Sequence, residues 1–183
     1  MLITEWTVIT ESDRIPPMGD ALAAHLSAYK GGTRHASCSA WNLLYRTLQN
    51  SKLPIAAVAF TETGKPYFPG IPLYFSLSHS KGLCAVAIAD VPVGVDIELC
   101  RDNLNPRLID KSLCDAEKEV YDGDFIRFWC RKEAVAKMTG AGISGYPSHI
   151  DTTKYAFREH RIDHAGREYW LAAVGLHPSR EDL

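Results

Sequence analysis

The sequence predicts an α+β protein made of two similar subdomains, residues 1–90 and 91–183, which pack together as one unit. Three segments in the middle of the chain, YFSLSHS, GLCAVAIAD and VGVDIEL, have the composition of strands and predict a central sheet. Segments with helical periodicity precede and follow these strands. In each half, helices are followed by a hairpin, a coarse repeat that agrees with two similar subdomains but does not establish them by periodicity alone.

The first half is predicted, in chain order, as a strand, two helices and an irregular hairpin before the central strands. Residues 2–10 alternate as a strand does, and PPMGDALAAHLSAYKGG predicts a helix that ends at the pair Gly31 and Gly32. A second amphipathic helix is predicted over residues 34–50. Proline and glycine in TETGKPYFPGIPLY indicate a loop or a loose edge hairpin.

The second half carries further helical signals and a closing hairpin. The segment DAEKEVYDGDFIRFWCRKEAVAKMTG is helical in pattern, with an interruption around Asp122 and Gly123 and a stop at Gly140. The tail KYAFREHRIDHAGREYWLAAVGL predicts two strands around a turn.

Composition excludes several classes of function. Lysine and arginine number 20 against 22 aspartate and glutamate, so no global charge favours nucleic acid or a membrane surface as partner. No window approaches the roughly 18 apolar residues that span a bilayer, and no secretory leader is visible, so a cytoplasmic location is expected. The five cysteines are scattered without a CxxC pair, which argues against a disulfide framework and a structural zinc site.

Two carboxylates fall on one side of the strand VGVDIEL. Because side chains alternate along a strand, Asp96 and Glu98 share a face while the apolar residues share the other. Paired carboxylates repel unless a cation lies between them, and oxygen ligands suit a hard ion such as Mg²⁺. Alternation is also typical of a strand whose polar face is solvated, and from the pattern alone that interpretation carries more weight.

The helix FWCRKEAVAKMTG places Trp129, Glu133 and Lys137 at four-residue spacing, which aligns them on one face. An exposed Glu and Lys pair of this kind contributes only about 0.3 to 0.5 kcal/mol and is common on helix surfaces. Trp129 would supply an apolar anchor, which would put the two charges at the margin of a buried site rather than in open solvent.

Two short segments contain groups that can bind phosphate. Lys65 lies between Gly64 and a proline on a constrained turn, and His79 follows Ser78 at the end of a strand. An ammonium, a hydroxyl and an imidazole can each donate to phosphate oxygens, although a solvated turn lysine and a loop histidine are equally ordinary. Further positive charge is available from Lys30, Arg34 and Arg46. No Walker motif is present, and no GxGxxG stretch lies between a predicted strand and a following helix as a Rossmann turn requires.

Taken together, GKPYF, FSLSHS, GVDIE and FWCRKEAVAKMTG, in this order, resemble the motifs of the 4′-phosphopantetheinyl transferases. The resemblance is to the single-chain, pseudo-dimeric type that activates peptide and polyketide synthases, such as surfactin synthetase. It runs from about Gly64 to Gly142, with a fainter likeness in the helix from Arg34 to Arg46.

The resemblance implies an Mg²⁺-dependent enzyme that moves the phosphopantetheine arm of coenzyme A onto a serine of an apo acyl or peptidyl carrier protein, releasing 3′,5′-ADP. It assigns Asp96, Glu98 and Glu133 as metal ligands, with Glu133 also the candidate general base. Lys137 and His79 would act on the phosphates beside it. The residues expected to bind coenzyme A are Lys30, Arg34, Arg46, Lys65, Ser78, His79, Lys132 and Lys137.

Two other functions remain open at this point: a non-catalytic module of the same fold that binds coenzyme A or a carrier protein, and an Mg²⁺-dependent phosphohydrolase. The intact carboxylate set disfavours the module. The carrier, and its pathway in fatty-acid, polyketide or peptide synthesis, are also open. The stretch CRDNLNPRLIDK offers Arg101, Arg107 and Lys111 to an acidic helix, but a solvated loop carries more weight. A monomer is expected, with no nucleic acid or membrane partner.

Overall fold

The computed structural model describes residues 1–143 and 145–176. The elements in chain order are β1 (Leu2–Val8), α1 (Asp20–Ser27), α2 (Gly31–Asn50), β2 (Ala59–Phe60), β3 (Pro66–Tyr67), β4 (Tyr74–Ser80), β5 (Leu83–Ala89), β6 (Val93–Leu99), α3 (Pro106–Ser112), α4 (Asp115–Glu119), α5 (Phe125–Thr139), a 3₁₀ turn (Thr152–Lys154), β7 (Phe157–His164) and β8 (Arg167–Gly175). This mixture of helices and antiparallel strands confirms the α+β class. No helix in these two ranges is both long and apolar enough to cross a membrane.

The strands form two three-stranded antiparallel sheets and one short hairpin, β2 with β3. The first sheet has the order β1-β5-β4 and the second has the order β6-β8-β7. In each sheet, the strand that comes first in the chain pairs with the strand that comes last. That last strand also pairs with the strand that lies between them in the sequence. The strand register brings Ser78 opposite Ala85 in the first sheet and Asp96 opposite Ala172 in the second.

Strand β5 lies between two hydrophobic cores and is buried at every position. Its even-numbered side chains, such as Val86 and Ile88, pack with Leu44 and other residues of α1 and α2. Its odd-numbered residues include Ala85 and Ala87, which pack against the second sheet. Small side chains on this face let the two sheets approach closely, so the helices α2 and α5 lie on the outside.

Helix α5 lies directly on β6, and Gly94 makes this possible. A Cβ atom at Gly94 would lie 1.8 Å from the carbonyl oxygen of Ala134 and 2.6 Å from the amide nitrogen of Met138. No side chain fits there, so the glycine of the GVDIE motif sets the distance between the strand and the helix. The helix ends where the sequence predicts, because Gly140 adopts the left-handed conformation that closes a helix.

Strands β4 and β6 run side by side at the seam between the two sheets, although their described backbones form no ladder. Serine hydroxyls of β4 instead accept hydrogen bonds from backbone amides of β6. The amide of Val95 donates to Ser76 Oγ at 3.1 Å, and the amide of Leu99 donates to Ser80 Oγ at 3.3 Å. The two halves are therefore joined here through side chains.

Three sequence-based predictions need correction. Gly31 and Gly32 do not end α1; they begin α2, and the positive φ of Gly31 allows the chain to turn between the two helices. The strand β6 belongs to the second sheet and not to the sheet of β4 and β5. The stretch expected as a solvated loop contains α3, where Pro106 occupies the first turn and Asn105 caps it by accepting from the Arg107 amide.

Candidate active site

A lysine, a carboxylate and a serine meet at the seam between β4, β6 and α5. Lys137 Nζ lies 2.6 Å from Asp96 Oδ1 and donates to Ser78 Oγ at 2.8 Å. Ser78 in turn donates to the same Asp96 oxygen at 2.7 Å. Asp96 is only 3% exposed. The polar face of β6 is therefore not solvated, and the interpretation favoured by alternation alone is wrong.

The second carboxylate oxygen of Asp96 lacks a partner among the described residues. Asp96 Oδ2 is buried and accepts no hydrogen bond from residues 1–143 or 145–176. An ionised carboxylate buried in this way is costly, because one of its oxygens has lost water and gained nothing in exchange. Such an atom indicates a place where a cation or a donor from a ligand can bind.

The charge of Asp96 influences the pKa values of two further carboxyl groups, those of Glu98 and Glu133. Burial raises the pKa of Glu98, and the charge of Asp96 raises it further, against a hydrogen bond from Ser80. Burial likewise raises the pKa of Glu133, with added contributions from Asp96 and Glu98 and an opposing one from Lys137. The charges of Glu98 and Glu133 thus interact with the charge of Asp96.

These side chains fit a hard cation in their chemistry. They supply carboxylate oxygens, one of them buried and unpartnered, and the mutual repulsion of the carboxylates would be relieved by positive charge. Within residues 1–143 and 145–176, however, no group of three His, Cys, Asp or Glu side chains is already arranged around a metal position. The positive charge that pairs with the Asp96 carboxylate is instead the ammonium group of Lys137.

An aromatic-walled cavity of about 320 Å³ lies beside this cluster. Trp41, Phe60 and Phe75 supply its apolar wall, and Lys65, Glu133 and Lys137 supply charge. The imidazole of His25 stacks on Phe60 with ring centroids 4.4 Å apart, and burial lowers the pKa of this histidine. Sequence reasoning missed the wall, because its members come from α1, α2, β2 and β4.

Lys65 and His79 both lie along this cavity system. Lys65 Nζ donates to the carbonyl oxygen of Met138 at 2.5 Å, and burial lowers its pKa. Partial burial, followed by the charge of Lys137, lowers the pKa of His79. His79 lines a second cavity of about 290 Å³ together with Ser78, Trp41 and Lys137.

The three cavities lie next to one another along the seam. The first two share Trp41 and Lys137. The second shares His79 with a third, of about 810 Å³, which extends to Glu98 and Arg101. We call these three neighbouring cavities together the groove.

Four residues expected to bind coenzyme A do not line these cavities. Lys132 is fully buried and forms an ion pair with Glu117, while Arg34 donates to Asp13 and to the carbonyl oxygen of Leu26. Lys30 is exposed just before α2, and Arg46 is exposed on α2. The structure does not bring these four to the groove.

Trp129, the third member of the four-residue pattern, lies elsewhere too. It is partly buried and packs on Phe125, with ring centroids 6.0 Å apart, in the core beneath α3. The anchor expected beside Glu133 is therefore a core residue.

Comparisons with known proteins agree with these motifs. The family model described as the 4′-phosphopantetheinyl transferase superfamily matches residues 92–174. The chain is 36% identical over 133 residues to 4′-phosphopantetheinyl transferase AcpT of Salmonella typhimurium, an alignment covering 67% of each chain. It is 36% identical over 120 residues to AcpT of Escherichia coli K12, covering 60% of this chain and 61% of the relative.

A third relative matches a shorter stretch of the chain. The chain is 31% identical over 91 residues to 4′-phosphopantetheinyl transferase Sfp of Bacillus subtilis strain 168, covering 45% of this chain and 41% of the relative. The chain therefore spans about two thirds or less of the length of these relatives. With these matches and the motifs at the seam, the chain belongs to the 4′-phosphopantetheinyl transferase superfamily.

Proposed function

We propose that the groove transfers the 4′-phosphopantetheine arm of coenzyme A to a serine hydroxyl of an apo acyl or peptidyl carrier protein, with release of 3′,5′-ADP. The observation that carries this proposal is the cluster of Lys137, Ser78 and Asp96. In this cluster a buried carboxylate keeps one oxygen unpartnered, beside a cavity suited to a flat ring and to phosphate.

The groove is proposed to lie between two similar subdomains, residues 1–90 and 91–183. The identical strand order of the two sheets supports this division. Ser78 and His79 come from the first part, whereas Asp96 and Lys137 come from the second. Because one chain supplies both walls, a monomer suffices for the reaction.

The aromatic cavity is proposed to receive the adenylate end of coenzyme A. A purine ring gains most from stacking on flat apolar side chains, which Phe60, Trp41 and the neutral imidazole of His25 provide. Lys65 and Lys137 are the cations of this wall and would donate to phosphate oxygens. Such an arrangement orients the diphosphate toward the carboxylates.

Asp96, Glu98 and Glu133 are proposed to hold Mg²⁺, which when bound would neutralise charge on the diphosphate. The remaining chemistry is carried by the chain's own groups. The carrier serine oxygen forms a bond to the β-phosphorus. The bond from that phosphorus to the bridging oxygen breaks, and this oxygen leaves with 3′,5′-ADP. Lys137 and His79 face the charge that develops there.

Glu133 is proposed to accept the proton of the attacking serine. Of the three carboxylates of the proposed cation site, Glu133 is the one that also lines the aromatic cavity, which is proposed to hold the adenylate end of coenzyme A and the adjoining diphosphate. This position favours Glu133 as the group that accepts the serine proton, directly or through water.

The proposal is tested by incubating the purified chain with coenzyme A, Mg²⁺ and an apo-carrier and following the carrier by mass spectrometry. We expect a mass gain of one phosphopantetheine arm. Asp96→Asn and Glu133→Gln should each slow transfer by about 10²-fold or more, because charge stabilisation or the base is lost. Glu119→Gln removes an exposed carboxylate on α4 and is the matched control.

Other outcomes identify the competing functions. Binding of coenzyme A without any mass gain across a panel of apo-carriers would favour the non-catalytic module. Release of 3′,5′-ADP without a carrier would favour a phosphohydrolase. Near-normal transfer by both variants would remove the assigned carboxylates from the mechanism.

A further inference from the structure

Three serines at alternate positions of β4 all hydrogen-bond to β6. Ser76 accepts from the amide of Val95, Ser78 donates to Asp96, and Ser80 accepts from the amide of Leu99. Alternate residues of a strand share a face, so the three hydroxyls form one row along the seam. We call this row of Ser76, Ser78 and Ser80 the serine row.

The members of the serine row contact different parts of β6. Within the part of the chain that the structure describes, Ser76 contacts β6 by a hydrogen bond to the backbone alone, from the Val95 amide. Ser80 reaches both the backbone and a carboxylate: it accepts from the Leu99 amide at 3.3 Å and donates to Glu98 Oε2 at 3.0 Å. Because a hydroxyl has a single hydrogen, Ser80 commits its donor to Glu98.

Glu98 has a second charged neighbour that can draw it away from the cluster. The side chain is partly buried, and it lines the third cavity together with Arg101. Arg101 is exposed and follows the end of β6, whereas Ser80 lies across the seam. A glutamate without its serine partner would be free to turn toward the guanidinium and the solvent.

We propose that Ser80 is a positioning residue that fixes the Glu98 carboxylate on the side of Asp96, so that a strand of the first half sets the cation-binding geometry of the second. This inference rests on the proposed function, since it assumes that Glu98 helps to bind a divalent cation. It extends that function to a residue outside the motif's acidic groups. Partners that orient a metal ligand typically influence metal affinity by about 10- to 100-fold.

The test measures cation binding directly, without turnover. Mn²⁺ serves as the probe, and its binding to the full chain with coenzyme A present is followed by electron paramagnetic resonance. We expect Ser80→Ala to weaken Mn²⁺ binding by about 10-fold. Ser80→Thr keeps the hydroxyl and should restore most of the affinity. Ser76→Ala removes a hydroxyl that bonds the backbone of β6 and lines the aromatic cavity, and it should weaken Mn²⁺ binding much less than Ser80→Ala does.

A second readout separates positioning from a general loss of structure. If Ser80 acts through Glu98, raising the Mg²⁺ concentration should restore the transfer rate of Ser80→Ala toward the wild-type rate. A merely structural defect would not respond to the ion.

Three outcomes of the Mn²⁺ experiment overturn the inference. Equal Mn²⁺ affinity in Ser80→Ala and wild type, with normal transfer by the wild type, refutes it while leaving the proposed function intact. Equal weakening by Ser80→Ala and Ser76→Ala refutes it as well, because both would then act through the backbone seam. If wild-type protein transfers the arm but binds no Mn²⁺, the cation assignment and this inference fail together.

Discussion

Helix α5 carries two lysines that each pair with a carboxylate, and the two pairs are built differently. Lys132 pairs with Glu117 at 2.5 Å, and both side chains are 0% exposed. Lys137 pairs with Asp96 at 2.6 Å, and here the side chain of the lysine is 31% exposed and that of the aspartate 4% exposed. Five residues of helix separate the lysines by about 140° around the axis, so they face different surroundings.

The first pair is satisfied on every side. Lys132 also donates to the carbonyl oxygens of Pro147 and Ile150. Glu117 accepts from the Cys114 amide and from both the amide and the hydroxyl of Thr152. Burial alone would raise the pKa of Glu117, but these bonds, with the one from Lys132, lower it. Such a pair ties α4 and the segment after α5 to the helix.

The second pair is left incomplete in the described part of the chain, since no group there hydrogen-bonds to Asp96 Oδ2 and the groove opens beside Lys137. A saturated buried pair has no capacity left for a ligand, whereas an unsaturated one gains free energy when a ligand binds. Of the two lysines of this motif on α5, Lys132 is therefore part of the core, whereas Lys137 borders the groove.

The largest expected effect comes from breaking the satisfied pair. Lys132→Met leaves a buried, uncompensated Glu117 and should lower the free energy of unfolding by about 3 to 5 kcal/mol, measured by urea denaturation. Lys132→Met combined with Glu117→Gln removes the stranded charge while keeping an acceptor for Thr152, and should regain part of this loss.

Coenzyme A binding by Lys132→Met tests whether the pair of Lys132 and Glu117 is separate from the cofactor site. Because Lys132 lies away from the groove, the folded fraction of Lys132→Met should bind coenzyme A as the wild type does, measured by isothermal titration calorimetry. A variant of wild-type stability with weakened binding would instead return Lys132 to the cofactor site that the family resemblance implies.

A smaller effect is expected from Gly94→Ala, which acts on the contact that holds Lys137 near Asp96. The new methyl group cannot coexist with the Ala134 carbonyl oxygen, so α5 must move outward. Overpacking of this kind typically costs about 1 to 3 kcal/mol. The transfer rate should fall as well, because Glu133 and Lys137 shift away from β6.

Gly32→Ala is the matched control for this change, since a Cβ there meets no atom within 4 Å. Its unfolding free energy should stay unchanged or rise slightly, because alanine favours a helix over glycine. If Gly94→Ala were as stable and active as the wild type, close packing of α5 on β6 would not set the site.

The smallest effect concerns pH, and its sign differs between the two regions. Glu133 has a raised pKa, so its ionisation costs stability as pH rises from its ordinary value of 4.5 through the folded-state value. Glu133→Gln should therefore be more stable than the wild type at neutral pH, with no difference below pH 4.5. Equal stability at both pH values would contradict the raised pKa.

Glu117 behaves in the opposite way. Its lowered pKa contributes stability above the ordinary value of 4.5, and this contribution is lost as pH falls through the folded-state value. Glu117→Gln should be less stable than the wild type at neutral pH and approach it under acid conditions. Urea denaturation across this range compares the two glutamates directly.

Local patterns predicted much of this protein from the sequence. Strand-like composition located β4, β5 and β6, with a period of two in β6, and the period of 3.6 with Gly140 located the end of α5. Both signals arise within a single element, where backbone geometry fixes the direction of each side chain. The motifs that contain Asp96 and Glu133 were therefore visible in the sequence before any fold was known.

The tertiary structure alone decided which partners these elements meet. The pairing of β6 with β8, the burial of Asp96, the bonds of Arg34 with Asp13 and the enclosure of Lys132 all join residues far apart in the chain. Periodicity says which side chains share a face but not what that face contacts. That depends on non-local packing, and at Gly94 it depends on the absence of a single methyl group.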